Sequence, residues 1–176
     1  MGKFIAGIIA GIIVVIIVAA GAGYGAIATG RIPAAAAGAR ALPLERWAAQ
    51  TSLRATLTRE APKGVNPVKL NDANLLVAIN LYQGHCAVCH GGAKGNAAPT
   101  PTARGEYPAP PQLATDGVED DAEGWTWWKI ENGIRWTGMP GWKDTLTPQD
   151  AWTLTLFLKH MDKLPPGSEV AWQQVK

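Results

Sequence analysis

From Phe4 to Gly23 every position is apolar or small, and Ile12 to Val18 is an unbroken aliphatic run. A helix needs about 20 such residues to cross a hydrocarbon core of roughly 30 Å, and it strands no backbone polar group there. The pattern predicts a transmembrane anchor over residues 1–24. A cleaved signal sequence is the rival reading, since Lys3 supplies a basic start and Ala26-Ile27-Ala28 resembles a cleavage site. The apolar run exceeds the ~7–15 residues usual for such a leader, which favours a retained span. Gly, Ala and Pro then dominate as far as Pro43, the composition of an extended or flexible spacer. Pro43 suits the first turn of a short helix running to about Arg59, with Leu44, Trp47, Ala48 and Leu57 apolar among Arg46, Arg54 and Arg59. That helix reads either as an exposed connector or as a basic segment for lipid headgroups or a partner subunit. Pro62, Gly64 and Pro67 close it.

Beyond residue 70 the helical period returns. Asn71 or Asp72 caps a helix whose buried stripe is Leu75, Leu76, Ala78, Ile79 and Tyr82. From Gly91 to Gly117 no period survives, and a loop of that length is unusual in a compact domain unless it wraps something. A Trp-rich helix follows over about Ala122 to Asn132. The last helix opens on Thr147-Pro148-Gln149-Asp150, close to a capping box with Pro at its first position. Trp152, Leu156, Phe157 and His160 recur along it at helical spacing, and Pro165-Pro166 stops it. The chain therefore divides into an anchor (1–24), a linker with a short helix (25–70), a helical domain (71–164) and a C-terminal tail (165–176). There is no internal repeat.

Charge sharpens this division. Residues 1–70 carry eight Lys/Arg against two Glu, a net +6, whereas 71–176 carry eight against twelve Asp/Glu, a net −4. A basic leader precedes a mildly acidic domain, and neither has the dense basic patch with interleaved aromatics that nucleic acid requires. Glu119, Asp120, Asp121 and Glu123 read as a solvated helix entrance favourable to the helix dipole, or as a docking patch for a basic partner. Lys3 lies on one side of the apolar run and Arg31 and Arg40 on the other, so flanking charge leans weakly against an external C-terminal domain.

The chemistry lies in Cys86-Ala87-Val88-Cys89-His90, which holds both cysteines of the chain. C-x-x-C-H is the pattern of c-type haem attachment. Two thiols on one turn reach the two vinyl groups of a porphyrin, and the next residue, His90, stands beneath the macrocycle as the proximal iron ligand. A thioredoxin-like pair would want a strand before Cys86, and no β-branched strand is there. A zinc site would need four ligands, and Cys86, Cys89, His85 and His90 would crowd one short segment without a second cluster.

With that motif in place, residues 71–164 resemble the class I cytochrome c family. Tyr82 stands four residues before Cys86, where the family has an aromatic residue packing on the C-terminal helix, here through Trp152, Leu156 and Phe157. Pro111-Gln112-Leu113 is similar to the family's Pro-x-Leu, which implies that the Pro111 carbonyl accepts the proton of the proximal imidazole. Gly138-Met139-Pro140-Gly141 resembles the loop that supplies the sixth ligand, which implies Met139 on the iron, 49 residues after His90. A Met in a Gly/Pro turn is poorly explained by core packing. Its rivals are Met161 near the end of the last helix and two histidines, His85 and His160, that read as surface or packed side chains. Trp125, Trp127, Trp128, Trp136 and Trp142 flank the loop, with Trp136 expected to pack on the haem.

The resemblance implies an all-α class I cytochrome c fold, about three or four helices around one covalent haem c, behind an N-terminal transmembrane helix. It implies single-electron transfer between redox protein donors and acceptors, either as a tethered carrier or as a subunit of a larger respiratory or dehydrogenase complex. A haem enzyme or gas sensor with a labile Met ligand is the alternative, and a thiol oxidoreductase a third. Haem attachment in this family is completed outside the cytoplasm, so the expected location is the inner membrane, single-pass, with the C-terminal domain periplasmic.

Overall fold

The computed structural model describes residues 1–32, 36–39, 41–42, 44–93 and 99–175. Pro43, expected in the first turn of the connector helix, and Arg40 lie outside the described residues, as do 94–98 of the long loop. Among the described residues seven α-helices and one 3-10 turn, Ala103–Gly105, make up the regular structure, with no strand. Two units are separable, Met1–Ala41 and Leu42–Lys176.

The first unit is built on α1, Gly2–Ala28, which at 27 residues, with an 18-residue stretch of mean hydropathy 2.9, is long and apolar enough to cross a membrane. It runs five residues past the apolar stretch, from Tyr24 to Ala28, because no proline interrupts it before Gly30. Thr29 closes it, with its hydroxyl donating to Gly25 O at 2.6 Å.

In the second unit α2, Glu45–Glu60, buries Leu57 and packs against α5, Glu123–Asn132. The chain leaving α2 is held close to α5 because residue 124 is glycine: a Cβ there would lie 1.9 Å from Pro62 O. Asn66 fixes the connector further, its amide donating to Trp152 O at 3.1 Å and to the Glu123 carboxylate at 3.2 Å.

Helix α3, Asp72–His85, starts where Asn71 Oδ1 accepts from Asn74 N at 2.9 Å and buries Leu75, Ala78, Ile79 and Tyr82, one stripe at helical spacing. It packs across α6, Pro148–His160. The capping box opening α6 is complete, since Thr147 Oγ1 accepts from Asp150 N and the Asp150 carboxylate accepts from Thr147 N at 3.0 Å. A short α4, Ala87–His90, follows α3 directly.

The core has an aromatic centre that the tail completes. Tyr82 meets Phe157 edge-on at 5.5 Å, and Trp172 approaches both, at 5.4 and 5.1 Å. Trp172 belongs to α7, Pro166–Trp172, within the stretch expected to be a plain tail. Burying the indole and Val175 against the α3–α6 pair drives its docking. The Asp72 carboxylate accepts from Ser168 N at 3.1 Å and from Ser168 Oγ, and Ala93 N donates to Val175 O at 3.1 Å. Trp152, expected opposite Tyr82, instead stacks on Trp127 at 5.4 Å, because its side of α6 faces α5. The acidic run before α5 is less solvated than its composition suggests. Lys129 pairs with Asp121 at 2.7 Å, and Lys159 donates to the carbonyls of Glu119 and Asp121.

Candidate functional site

The Cys-x-x-Cys-His turn grows directly out of α3. Cys86 N donates to Tyr82 O at 2.8 Å, and His90 N donates to Cys86 O at 2.9 Å, so Cys86 and Cys89 stand one turn apart. Tyr82 braces the turn from below, its hydroxyl donating to Gly91 O at 2.7 Å. The following loop folds back under it on polar contacts: Gln112 Nε2 donates to Cys89 O at 2.9 Å, Leu113 N to His90 O at 3.2 Å, and Thr100 Oγ1 to Val88 O at 2.8 Å. The long loop therefore wraps the attachment turn. Thr100 and Gln112 carry no spacing signal in the sequence that would mark them for this work.

His90 Nδ1 lies 2.8 Å from Pro111 O. A carbonyl only accepts, so Nδ1 carries the proton and Nε2 keeps its lone pair free for a metal. Burial pushes the imidazole below its ordinary pKa, opposed by the Pro111 bond and the charge of Glu106, so the ring is neutral near pH 7. Both cysteines are half-buried and free of any disulfide. Burial, reinforced by Cys89, pushes the Cys86 thiol up to about 12. Burial, with the bond to Glu106 and its charge, pushes Cys89 up to about 11. Thiol–disulfide catalysis relies on depressed thiol pKa values, and this pair is shifted the other way.

Glu106, which the sequence reading missed, links the attachment turn to the Met139 loop. One carboxylate oxygen accepts from Cys89 Sγ at 3.3 Å, and the other lies so close to Gly138 that a Cβ there would sit 2.1 Å from it. The Met139 loop itself is tightly tied. Ile134 N donates to Met139 O at 3.1 Å, Met139 N to Thr137 Oγ1 at 3.1 Å, and Thr137 Oγ1 to Ile134 O at 2.7 Å. Both backbone groups of Met139 are engaged, and its half-buried thioether is the group the loop has to offer. The loop returns along the end of α5, with Trp142 N donating to Ile130 O at 2.9 Å.

This return requires Gly133, at φ +69, where a Cβ would meet Gly141 N at 2.5 Å and Met139 O at 2.7 Å. Gly133→Ala is expected to push the Met139 loop off its seat. Limited proteolysis checks this: cleavage within 134–141 should speed up in the variant while the helical circular dichroism is unchanged.

The other expected residues fall as follows. Trp136 stands at the apex of the loop at φ +62, 86% exposed and with the Arg135 guanidinium 5.5 Å from its ring, so no protein surface covers it. The tight Ile134–Thr137 turn forces this left-handed conformation. His85 packs its ring on Trp142 at 4.9 Å, and His160 Nδ1 bonds to Leu156 O at 2.9 Å. Met161 is buried in the core cluster.

The donor set fits a covalent haem. It has two unpaired thiols one turn apart, an imidazole with Nδ1 engaged and Nε2 free, and a thioether on a loop joined to that turn through Glu106. Among the described residues no group of three or more His, Cys, Asp or Glu side chains is placed to hold a metal ion.

Residues 78–158 match the family model described as "Cytochrome C oxidase, cbb3-type, subunit III". The matched segment begins inside α3, contains the Cys-x-x-Cys-His turn and the Met139 loop, and ends inside α6. Neither the curated proteins nor the solved structures include a significant match.

Proposed function

Since the chain is a c-type cytochrome, an electron-transfer protein with covalently bound haem c, we propose that it is held at the inner membrane by α1 and passes single electrons between periplasmic or membrane-bound redox partners. In this reading residues 1–24 anchor it, 25–70 link, and 71–164 hold the cofactor, with the stretch after 164 strapping the core. The observation that carries the reading is the attachment turn with its oriented imidazole, His90 Nδ1 on Pro111 O at 2.8 Å.

When bound, the haem supplies a one-electron iron couple. Cys86 and Cys89 hold it through thioethers, so that dilution outside the cell membrane does not remove it. His90 binds through Nε2, and the Pro111 carbonyl fixes the ring's tautomer and angle. Met139 would supply a second ligand from its tied loop, and the exposed Trp136 ring would offer the group an apolar surface. With both His90 and Met139 as ligands the iron would have no open coordination position, and the chemistry it would supply is outer-sphere electron transfer. Met/His ligation also raises the potential and suits the oxidising end of a chain. The spacer length fits a tethered carrier, and a docked subunit of a larger complex is the other form of the same role.

Haem staining of a denaturing gel tests the attachment. The stain should stay with the wild-type chain in the membrane fraction and disappear in Cys86→Ser/Cys89→Ser. The intact protein should be low-spin in both oxidation states. High-spin ferric haem with ready carbon monoxide binding to the ferrous form would instead identify a haem enzyme or gas sensor.

A further inference from the structure

Helix α2 uses only part of its circumference. Leu57 is 3% exposed and Leu53 and Thr56 are half-buried on the side that packs inward. The opposite side, formed by Leu44, Trp47, Thr51, Ala55 and Thr58, is uncovered, and Trp47 is 65% exposed. Both acids of this region are engaged within it: the Glu45 carboxylate accepts from Leu42 N at 3.1 Å, and Glu60 pairs with Arg59 at 2.6 Å. Arg54 and Arg59 flank this side, and Arg54 has no ion-pair partner among the described residues.

We propose that this outward face of α2, centred on Trp47, docks on an anionic lipid surface and holds the haem domain against the bilayer. The inference rests on the reading of α1 as a membrane span. Charge complementarity carries it. α2 itself carries three Arg against two Glu, and the whole of 29–70 bears seven Lys/Arg against two Glu, whereas 71–176 are net −4, so an anionic surface attracts the segment that contains α2 and repels the rest of the domain. Chain continuity adds to it. Sixteen residues separate Ala28, the end of α1, from Glu45, the start of α2. Fully extended they reach at most about 55 Å. A short tether keeps α2 at high effective concentration near the headgroups, so that weak contacts suffice. The chemistry of the face also agrees. An isolated indole with small neighbours and an arginine rim suits headgroup depth, whereas an obligate subunit interface is richer in large apolar side chains. The haem domain is thereby held on the membrane rather than swinging at the end of a leash.

The test uses the full haem-loaded chain in vesicles of phosphatidylcholine, with or without phosphatidylglycerol. The thioethers consume both native thiols, so a spin label goes on a single introduced cysteine, at Thr51→Cys, at Val14→Cys in α1, or at Lys163→Cys as an exposed control. In vesicles containing phosphatidylglycerol the Thr51 label should lose collisions with a water-soluble nickel relaxant and gain collisions with oxygen, and the Lys163 label should not. High salt should reverse the change, and Arg54→Gln should weaken the docked population about fivefold. Equal accessibility at Thr51 in anionic and neutral vesicles, with Val14 in lipid, overturns the proposal and leaves the anchor standing. A water-exposed Val14 label removes the anchor and the proposal together. Shielding of Thr51 only when native membrane proteins are added assigns the face to a partner subunit and overturns the lipid assignment.

Discussion

Met139→Ala is expected to turn the ferric haem from low-spin to high-spin, open the ferrous iron to carbon monoxide, and lower the midpoint potential. The drop should be a substantial fraction of the roughly 0.8 V that axial-ligand choice spans. Among the described residues the other Met and His side chains near the core are committed elsewhere. Met161 is buried in the core cluster, His85 is packed on Trp142, and His160 is engaged with Leu156 O. The loop has no freedom to offer a neighbour either, since Ile134, Thr137 and Met139 are cross-linked by hydrogen bonds and Gly133 lies hard against Gly141. Met139→His separates loss of a ligand from loss of the fold, because it should stay low-spin while its potential falls. A Met139→Ala protein that remains low-spin at an unchanged potential would place the sixth ligand elsewhere.

Tyr82→Ala should be the most destabilising single change in the haem domain, costing about 3–5 kcal/mol. That is a large share of the roughly 5–15 kcal/mol that holds a domain folded. The side chain is fully buried and touches the rings of both Phe157 and Trp172, so its removal opens a cavity where α3, α6 and α7 meet. Burial pushes the hydroxyl far above its ordinary pKa, so it stays a neutral donor to Gly91 O. Tyr82→Phe keeps the ring contacts and should cost only about 1–3 kcal/mol, the penalty for leaving that carbonyl without its partner. Denaturant unfolding followed by haem absorbance measures both. A Tyr82→Ala midpoint close to that of Tyr82→Phe would show that α7 does not depend on the ring.

Much of this protein is written locally in its chain. The all-helical class follows from apolar spacing, as in the stripe Leu75, Ala78, Ile79 and Tyr82, and from caps such as Asn71 and Thr147 that sit within three residues of the groups they satisfy. The haem chemistry is local too, because two thiols and an imidazole on one turn are fixed by five consecutive residues. The apolar length of α1 needs no partner to be recognised.

Only the tertiary structure decided what joins distant segments. Glu106 reaches Cys89 and Gly138 from an irregular loop, and nothing in its own neighbourhood marks it. The tail becomes α7 because Trp172 finds Tyr82 and Phe157, and because Asp72 receives Ser168 from 96 residues away. Trp152 turned to Trp127 rather than Tyr82, since helical period says that a side chain is buried but not which neighbour buries it. Trp136 stands out at the surface because a six-residue turn, closed by Ile134 N on Met139 O, forces its backbone into the left-handed region. Spacing and caps act over a few residues and survive as sequence patterns. Contacts between remote segments depend on the assembled packing, and no periodicity records them.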